Sequence, residues 1–209
     1  MRKKKNEKLR IGVLVSGRGS NLQAIIDSIE GGDIPAEIAV VISNVPGVLA
    51  LERAEKHGIR TAVVDSKQFE NKGKYEEQVI KTLKDETVNL ICLAGYMKLL
   101  SPEFIEEYKG RIMNIHPALL PAFTGLHVQE KALEYGVKFS GATVHFVDEG
   151  CDTGPIILQA VVPVLDDDTE ETLAARILEQ EHKLYPQAVK LYAEGKLKMK
   201  GRRIIIAKN

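Results

Sequence analysis

An asparagine and a histidine stand two residues apart in Asn114-Ile115-His116-Pro117, at the end of a short apolar run, residues 111–115. Side chains two apart on a strand point to the same face, so one neutral amide donor and one titratable imidazole would address the same small volume. The next segment, Ala118-Leu119-Leu120-Pro121, follows one proline and ends in another, and cannot continue regular structure. Polar groups at such a point suit work on a substrate, because loops at strand ends are where rigid scaffolds carry function. Taken alone, an Asn-x-His of this kind is more often a turn-former beside a surface histidine. The functional reading gains weight from two other stretches.

The first is Ser16-Gly17-Arg18-Gly19-Ser20-Asn21, between an apolar run of strand length, residues 9–15, and Leu22-Gln23-Ala24-Ile25-Ile26, whose apolar spacing is helical. A strand, a glycine-rich turn and a helix leave backbone N–H groups and the positive helix end facing outward, which together form an anion site. Ser20 or Asn21 is expected to cap the helix. Gly17 and Gly19 supply the first two glycines of a dinucleotide fingerprint, but Leu22 takes the third position. Strand 37–42 ends in Ser43-Asn44 where NAD binding would call for an acid, and the turn has no Gly-Lys-Ser/Thr. A single phosphate group fits better than a dinucleotide, the alternative being a tight turn that binds nothing. The second stretch is Asp148-Glu149-Gly150-Cys151-Asp152-Thr153-Gly154, whose acids are of a kind that usually form turns or stay solvated.

The 209 residues fit one large domain with a core that requires no disulfide or metal. Lys+Arg and Asp+Glu both number 29, so no overall basic field draws the chain to nucleic acid. Cys92 reads as a small core residue and Cys151 as an exposed thiol; with no C-x-x-C pair and no Cys/His cluster, no metal is expected, and both thiols suit a reducing cytosol. Residues 1–8 read as a basic, solvated tail, because the apolar run after them is too short for a signal-peptide core. No stretch approaches the roughly 20 apolar residues of a spanning helix. The expectation is a cytoplasmic protein with no membrane partner, either a monomer or a homodimer.

The elements that must position these residues alternate. Helix 48–56, strand 61–64, helix 75–84 and strand 90–94 continue the pattern of the first strand, turn and helix, which implies an α/β, doubly wound, mostly parallel sheet covered on both faces. Ligands in such sheets lie at the carboxyl ends of the strands, where the glycine turn, Gly95-Tyr96-Met97-Lys98 and Asn114-x-His116 all fall. A helix over 126–135 precedes runs 140–147 and 155–164, which look like an antiparallel addition enclosing the acidic loop. Residues 169–194 read as a long helix that opens with an Asp168-Thr169-Glu170-Glu171 cap and is bent or divided at Pro186, and the chain ends in a small hairpin.

Three segments, Ser16-Gly17-x-Gly19-Ser20-Asn21-Leu22, Asn114-Ile115-His116-Pro117-x-Leu119-Leu120-Pro121 and Asp148-x-x-x-Asp152-x-Gly154-Pro155-Ile156-Ile157, together resemble the phosphoribosylglycinamide formyltransferase family. The resemblance covers essentially the whole chain. Asn-x-His-Pro with the later Asp belongs to folate formyl-transferring enzymes generally, whereas Gly-Ser-Asn-Leu-Gln-Ala-Ile-Ile is narrower. The resemblance implies a Rossmann-like formyltransferase domain over residues 1–209, with 9–110 as the phosphate-binding half and 111–209 as the catalytic and folate-binding half. The implied reaction moves a formyl group from 10-formyltetrahydrofolate to the amine of glycinamide ribonucleotide in purine biosynthesis.

Amine attack on a formyl carbon creates an oxyanion and a positively charged nitrogen; a site must stabilise the first and deprotonate the second. Asn114 and a protonated His116 can both donate to the oxyanion. Asp152, by its match to the family aspartate, would hold His116 charged and help move the amine proton. By the same resemblance His145 supports the site, Gly19, Ser20 and Asn21 hold the substrate phosphate, and Glu181 contacts the ribose. The folate is expected against Met97, Lys98, Leu99 and Leu100, Asn114, and the loop Asp148, Glu149, Gly150, Cys151 and Asp152. Lys72 stands where some members carry an arginine toward the folate tail, a change that keeps the charge and loses the bidentate fork.

Methionyl-tRNA formyltransferase and formyltetrahydrofolate deformylase share this chemistry but usually carry an added domain, for which 209 residues leave no length. A non-catalytic nucleotide-binding module would explain the glycine turn, but not Asn114, His116 and Asp152 together.

Overall fold

The computed structural model describes residues 8–207, so the basic start falls almost wholly outside the described residues. Strands β1 (Leu9–Val15), β2 (Ala36–Ser43), β3 (Thr61–Val63), β4 (Leu90–Leu93), β5 (Ile112–His116), β6 (Phe139–Phe146) and β7 (Ile156–Pro163) form one sheet in the order β3-β2-β1-β4-β5-β6-β7. The first five run parallel, whereas β6 and β7 pair antiparallel. The doubly wound sheet and its antiparallel addition are therefore both present. Because β1 lies between β2 and β4, the winding reverses there, and a crevice opens at the carboxyl ends of β1 and β4.

Helices α1 (Ser20–Glu30), α2 (Leu49–Lys56), α5 (Val128–Tyr135) and α6 (Glu170–Ala193) cover one face of the sheet; α3 (Lys72–Asp85) and α4 (Pro102–Glu107) cover the other. The alternation of β1 sends Ile11, Val13 and Val15 into one core cluster with Leu22, Ile25 and Tyr185, and Leu14 into the opposite cluster with Val79, Leu83 and Phe104. Burial on both faces is why the strand is apolar without a break over residues 11–15. Gly12 is the one small residue in it: a Cβ there would lie 2.6 Å from Leu83 Cδ2, so the glycine lets α3 pack close. Strands β8 (Leu197–Lys200) and β9 (Arg203–Ile206) form the terminal hairpin.

Three local expectations need correction. The N-cap of α1 is Gly19 in a left-handed conformation, with no side-chain cap bond from Ser20 or Asn21. Of the two outcomes expected at Pro186, division does not occur, since the residue sits inside one continuous α6. The missing backbone bond and ring clash, typically about 3 kcal/mol, are offset where Leu184, Tyr185, Pro186, Ala188 and Val189 are buried together. Helix α4 was not anticipated, since six residues are too few to display a period; its signal is Ser101-Pro102, where the Ser101 hydroxyl accepts from Phe104 N at 3.2 Å. Helix α3 begins at Lys72 because the Asn71 side chain caps it through Lys74 N at 3.0 Å.

Candidate active site

Asn114 and His116 end β5, and the β5/β6 register sets Asn114 opposite His145 and His116 opposite Thr143. The antiparallel addition thus supplies the second histidine as a cross-strand neighbour of the asparagine. Asp152 comes from the loop between β6 and β7, in a left-handed conformation (φ 56°) that aspartate tolerates better than most residues. Gly154 brings the loop down onto the sheet: a Cβ there would fall 1.7 Å from the Phe146 carbonyl oxygen.

Asp152 gathers the other groups. Its Oδ2 lies 3.4 Å from His116 Nδ1 and accepts from Gly125 N at 2.9 Å; its Oδ1 accepts from Asn114 Nδ2 at 3.4 Å and faces His145 Nε2 at 3.7 Å. His145 Nδ1 lies 2.8 Å from the Phe146 carbonyl, which can only accept, so that nitrogen carries the proton. Its Nε2 is then free to accept from Asn114 Nδ2 at 3.2 Å. Both amide hydrogens of Asn114 thereby point at protein acceptors. His116 Nε2 donates to the Phe123 carbonyl at 2.8 Å, so both His116 nitrogens face acceptors, an arrangement that the doubly protonated ring satisfies.

Burial pushes the Asp152 carboxyl up, but the hydrogen bond from Gly125 N–H and the positive field of His116 outweigh it and hold the group well below the usual carboxylate range. A depressed folded value contributes stability that is present above the ordinary aspartate value near 3.9 and lost as pH falls below it. The gap in melting temperature between the parent chain and Asp152→Asn is therefore expected to narrow as pH drops from about 4 to 3. Thermal unfolding across that range checks it, and a constant gap would deny the carboxylate its stabilised charge.

These groups line a cleft of about 630 Å3. Lys72, Met97, Lys98, Leu99, Leu100 and the loop Asp148, Glu149, Gly150, Cys151 and Asp152 line it as well, so every residue expected against the folate is brought to one cavity. Within that loop Asp148 is also the expected turn-former, accepting from Gly150 N at 3.3 Å and from the Thr153 hydroxyl at 2.5 Å. Among the described residues no group of three or more His, Cys, Asp or Glu is placed to hold a metal ion. No helix among them is long and apolar enough to cross a membrane.

The glycine turn stands beside this cleft rather than in its lining. Gly19 (φ 71°) packs so closely on α2 that a Cβ would lie 2.6 Å from that of Ala50, and it turns the chain so that the first N–H groups of α1 lie at the crevice without a side-chain cap. Ser20 also lines a smaller polar cleft with Gln23, Asp27, Arg53 and His182. Asn21 is buried and donates to Glu181 Oε2 at 2.7 Å; Glu181 is 7% exposed, and burial pushes its carboxyl up. The expected ribose acid is thus placed against an expected phosphate residue.

Three participants escaped the sequence reading: the Phe123 carbonyl on His116, the Gly125 N–H on Asp152, and Ser16. Ser16 N donates to Gly95 O at 3.1 Å, and its hydroxyl accepts from Met97 N at 2.9 Å, tying the glycine turn to the cleft wall. The first two act through main-chain atoms, which leave no residue-type signal.

The pattern of the formyl transferase family matches residues 9–189. Phosphoribosylglycinamide formyltransferase of Haemophilus influenzae is 46% identical over 191 residues, which are 91% of this chain and 90% of that protein. The chain belongs to the phosphoribosylglycinamide formyltransferase family. Like other members it is an enzyme that transfers a formyl group, with the family's Rossmann-like fold. Glycinamide ribonucleotide transformylase 1 of Symbiobacterium toebii superposes with a TM-score of 0.95 at 47% identity, covering 99% of this chain and 100% of that one. A trifunctional purine biosynthetic protein of Drosophila pseudoobscura pseudoobscura is 53% identical over 90% of this chain, which spans only 14% of that protein's length. Family membership thus connects the chain with formyl transfer in purine biosynthesis.

Proposed function

We propose that the chain transfers the formyl group of 10-formyltetrahydrofolate to the primary amine of glycinamide ribonucleotide, giving formylglycinamide ribonucleotide and tetrahydrofolate. The observation that carries this is the approach of Asn114 and His116 to within 3.4 Å of the Asp152 carboxylate on the wall of one cleft. The amine nitrogen bonds to the formyl carbon, whose carbonyl becomes an oxyanion. His116 and Asn114 donate to that oxygen by exchanging their present protein acceptors for it, as catalytic hydrogen bonds often do when substrate arrives. Asp152 keeps the imidazolium charged and takes the amine proton through water. Collapse of the oxyanion breaks the bond to the folate nitrogen, which receives a proton.

The phosphate lies on the first turn of α1, at Gly19, Ser20 and Asn21. Glu181 acts chiefly through Asn21, and reaches the ribose only by exchanging that bond. The pterin lies between residues 97–100 and the loop 148–152, with Lys72 toward the folate tail. The whole forms one formyltransferase domain, in which residues 9–110 supply the phosphate turn and part of the cleft wall and 111–209 the catalytic groups. Both cysteines are free, one buried and one exposed, which suits a cytoplasmic setting. One chain holds all three catalytic groups, so the reaction proceeds alike in a monomer or a homodimer.

Replacing Ser20 and Asn21 together by alanine is expected to raise the KM for the ribonucleotide about tenfold, because phosphate contacts of this kind act mainly in binding. Steady-state kinetics with the ribonucleotide varied reads this directly; an unchanged KM removes the turn from the phosphate site. The proposal as a whole is tested by mixing 10-formyltetrahydrofolate with glycinamide ribonucleotide and following folate absorbance. Turnover that requires the amine is expected. Hydrolysis without it would make the chain a deformylase, and binding without turnover would make it a non-catalytic module.

A further inference from the structure

Near the start of α3, Lys72, Tyr75 and Glu76 share one helix face at spacings of three and four. Lys72 lines the large cleft. Tyr75 and Glu76 are buried, at 3% and 4% exposure, and a buried carboxylate is costly unless hydrogen bonds and charge partners compensate it. The partners of Glu76 are specific: its Oε1 accepts from Ser101 N at 2.9 Å and lies 3.7 Å from Lys72 Nζ. The Tyr75 hydroxyl bonds to the Tyr96 hydroxyl. Burial pushes both phenols up, so both remain protonated and one donates to the other.

These two tethers bracket residues 96–101, a strap with no helix or strand of its own. Its Met97 and Leu99 side chains are 66% and 71% exposed and line the cleft. Tyr96 and Leu100 pack against the core on the α3 side, whereas the outward Met97 and Leu99 leave the middle of the segment to take its shape from bonds to its neighbours. Ser16 supplies one set, through Gly95 O and Met97 N. Helix α3 supplies the other.

We propose that Glu76 and Tyr75 are positioning residues for the formyl donor: buried on α3, they hold the 96–101 strap in the shape against which the folate ring binds, while Glu76 also steadies the Lys72 ammonium at the same cleft. This rests on the reading that the cleft takes the folate donor. Neither residue touches the reacting atoms, so their loss is felt in donor binding and spares the phosphate turn.

The test measures KM for 10-formyltetrahydrofolate and for glycinamide ribonucleotide in Glu76→Ala, Glu76→Gln and Tyr75→Phe. Glu76→Ala is expected to raise the donor KM about tenfold or more, the usual worth of a hydrogen bond to a charged group. The ribonucleotide KM and kcat should stay within about threefold, below the worth of one ordinary hydrogen bond. Glu76→Gln keeps an acceptor for Ser101 N and should return the donor KM to within about threefold of the parent; Tyr75→Phe should raise it about threefold. If Glu76→Ala does not fold, the other two variants decide the matter, together with hydrogen exchange at the amides of residues 97–100, which should speed up in Tyr75→Phe. An unchanged donor KM with unchanged exchange, or equal rises for both substrates, overturns the inference. Exchange needs no substrate, so a parent chain that fails to turn over would sink the proposed reaction while leaving the tether tested.

Discussion

Asp152→Asn is expected to lower kcat by about 1,000-fold while the chain stays folded, the range spanned by general acid–base groups. The amide is close in shape and can still accept from Gly125 N, so the loop keeps its anchor. It cannot hold an imidazolium at His116 Nδ1 or take the amine proton, and its NH2 group now opposes donors. Saturating kinetics with both substrates, alongside a thermal melt at pH 7, separate lost chemistry from lost folding. A folded variant that keeps more than about a tenth of parental turnover would remove Asp152 from the chemistry.

His116→Ala is expected to lower kcat by about 100- to 1,000-fold, the usual loss when one oxyanion donor is removed. The ribonucleotide KM should move by less than about threefold, since the phosphate turn lies outside this contact. The same change strips the partly buried Phe123 carbonyl of its donor, which costs at most the roughly 1–3 kcal/mol of an unsatisfied buried group, so a lower melting temperature should accompany the lost rate. The double variant His116→Ala, Asp152→Asn should be scarcely slower than the worse single one, because residues that act as a unit are strongly non-additive. Multiplicative losses would show the two groups working independently.

What was legible beforehand follows from periodicity and from residue type. The apolar runs 11–15 of β1, 38–42 of β2 and 90–93 of β4 could be read because burial on both faces leaves no polar alternation, and the long α6 showed its start in Asp168-Thr169-Glu170-Glu171, where Thr169 is the N-cap; the reciprocal bond from Thr172 came only with the structure. The cap of α1 was misread because Ser20 and Asn21 are good capping types, whereas the close approach of α2 at Ala50 requires a glycine in a left-handed turn. Helix α4 escaped because its capping bond, not its length, defines it.

The sequence by itself determined the chemical inventory: an amide, two imidazoles and a carboxylate near strand ends, a glycine turn ahead of a helix, and the order of alternating elements. These depend on side-chain type and spacing, which the chain carries locally. Only the tertiary structure decided which groups meet. The antiparallel register of β5 and β6 set His145 against Asn114, and the left-handed backbone at Asp152 turned its carboxylate toward His116. The Phe123 carbonyl and Gly125 N–H joined them from a loop whose residue types announce nothing. The physical reason is that strand pairing and main-chain hydrogen bonds are made between segments distant in sequence, through atoms that every residue shares.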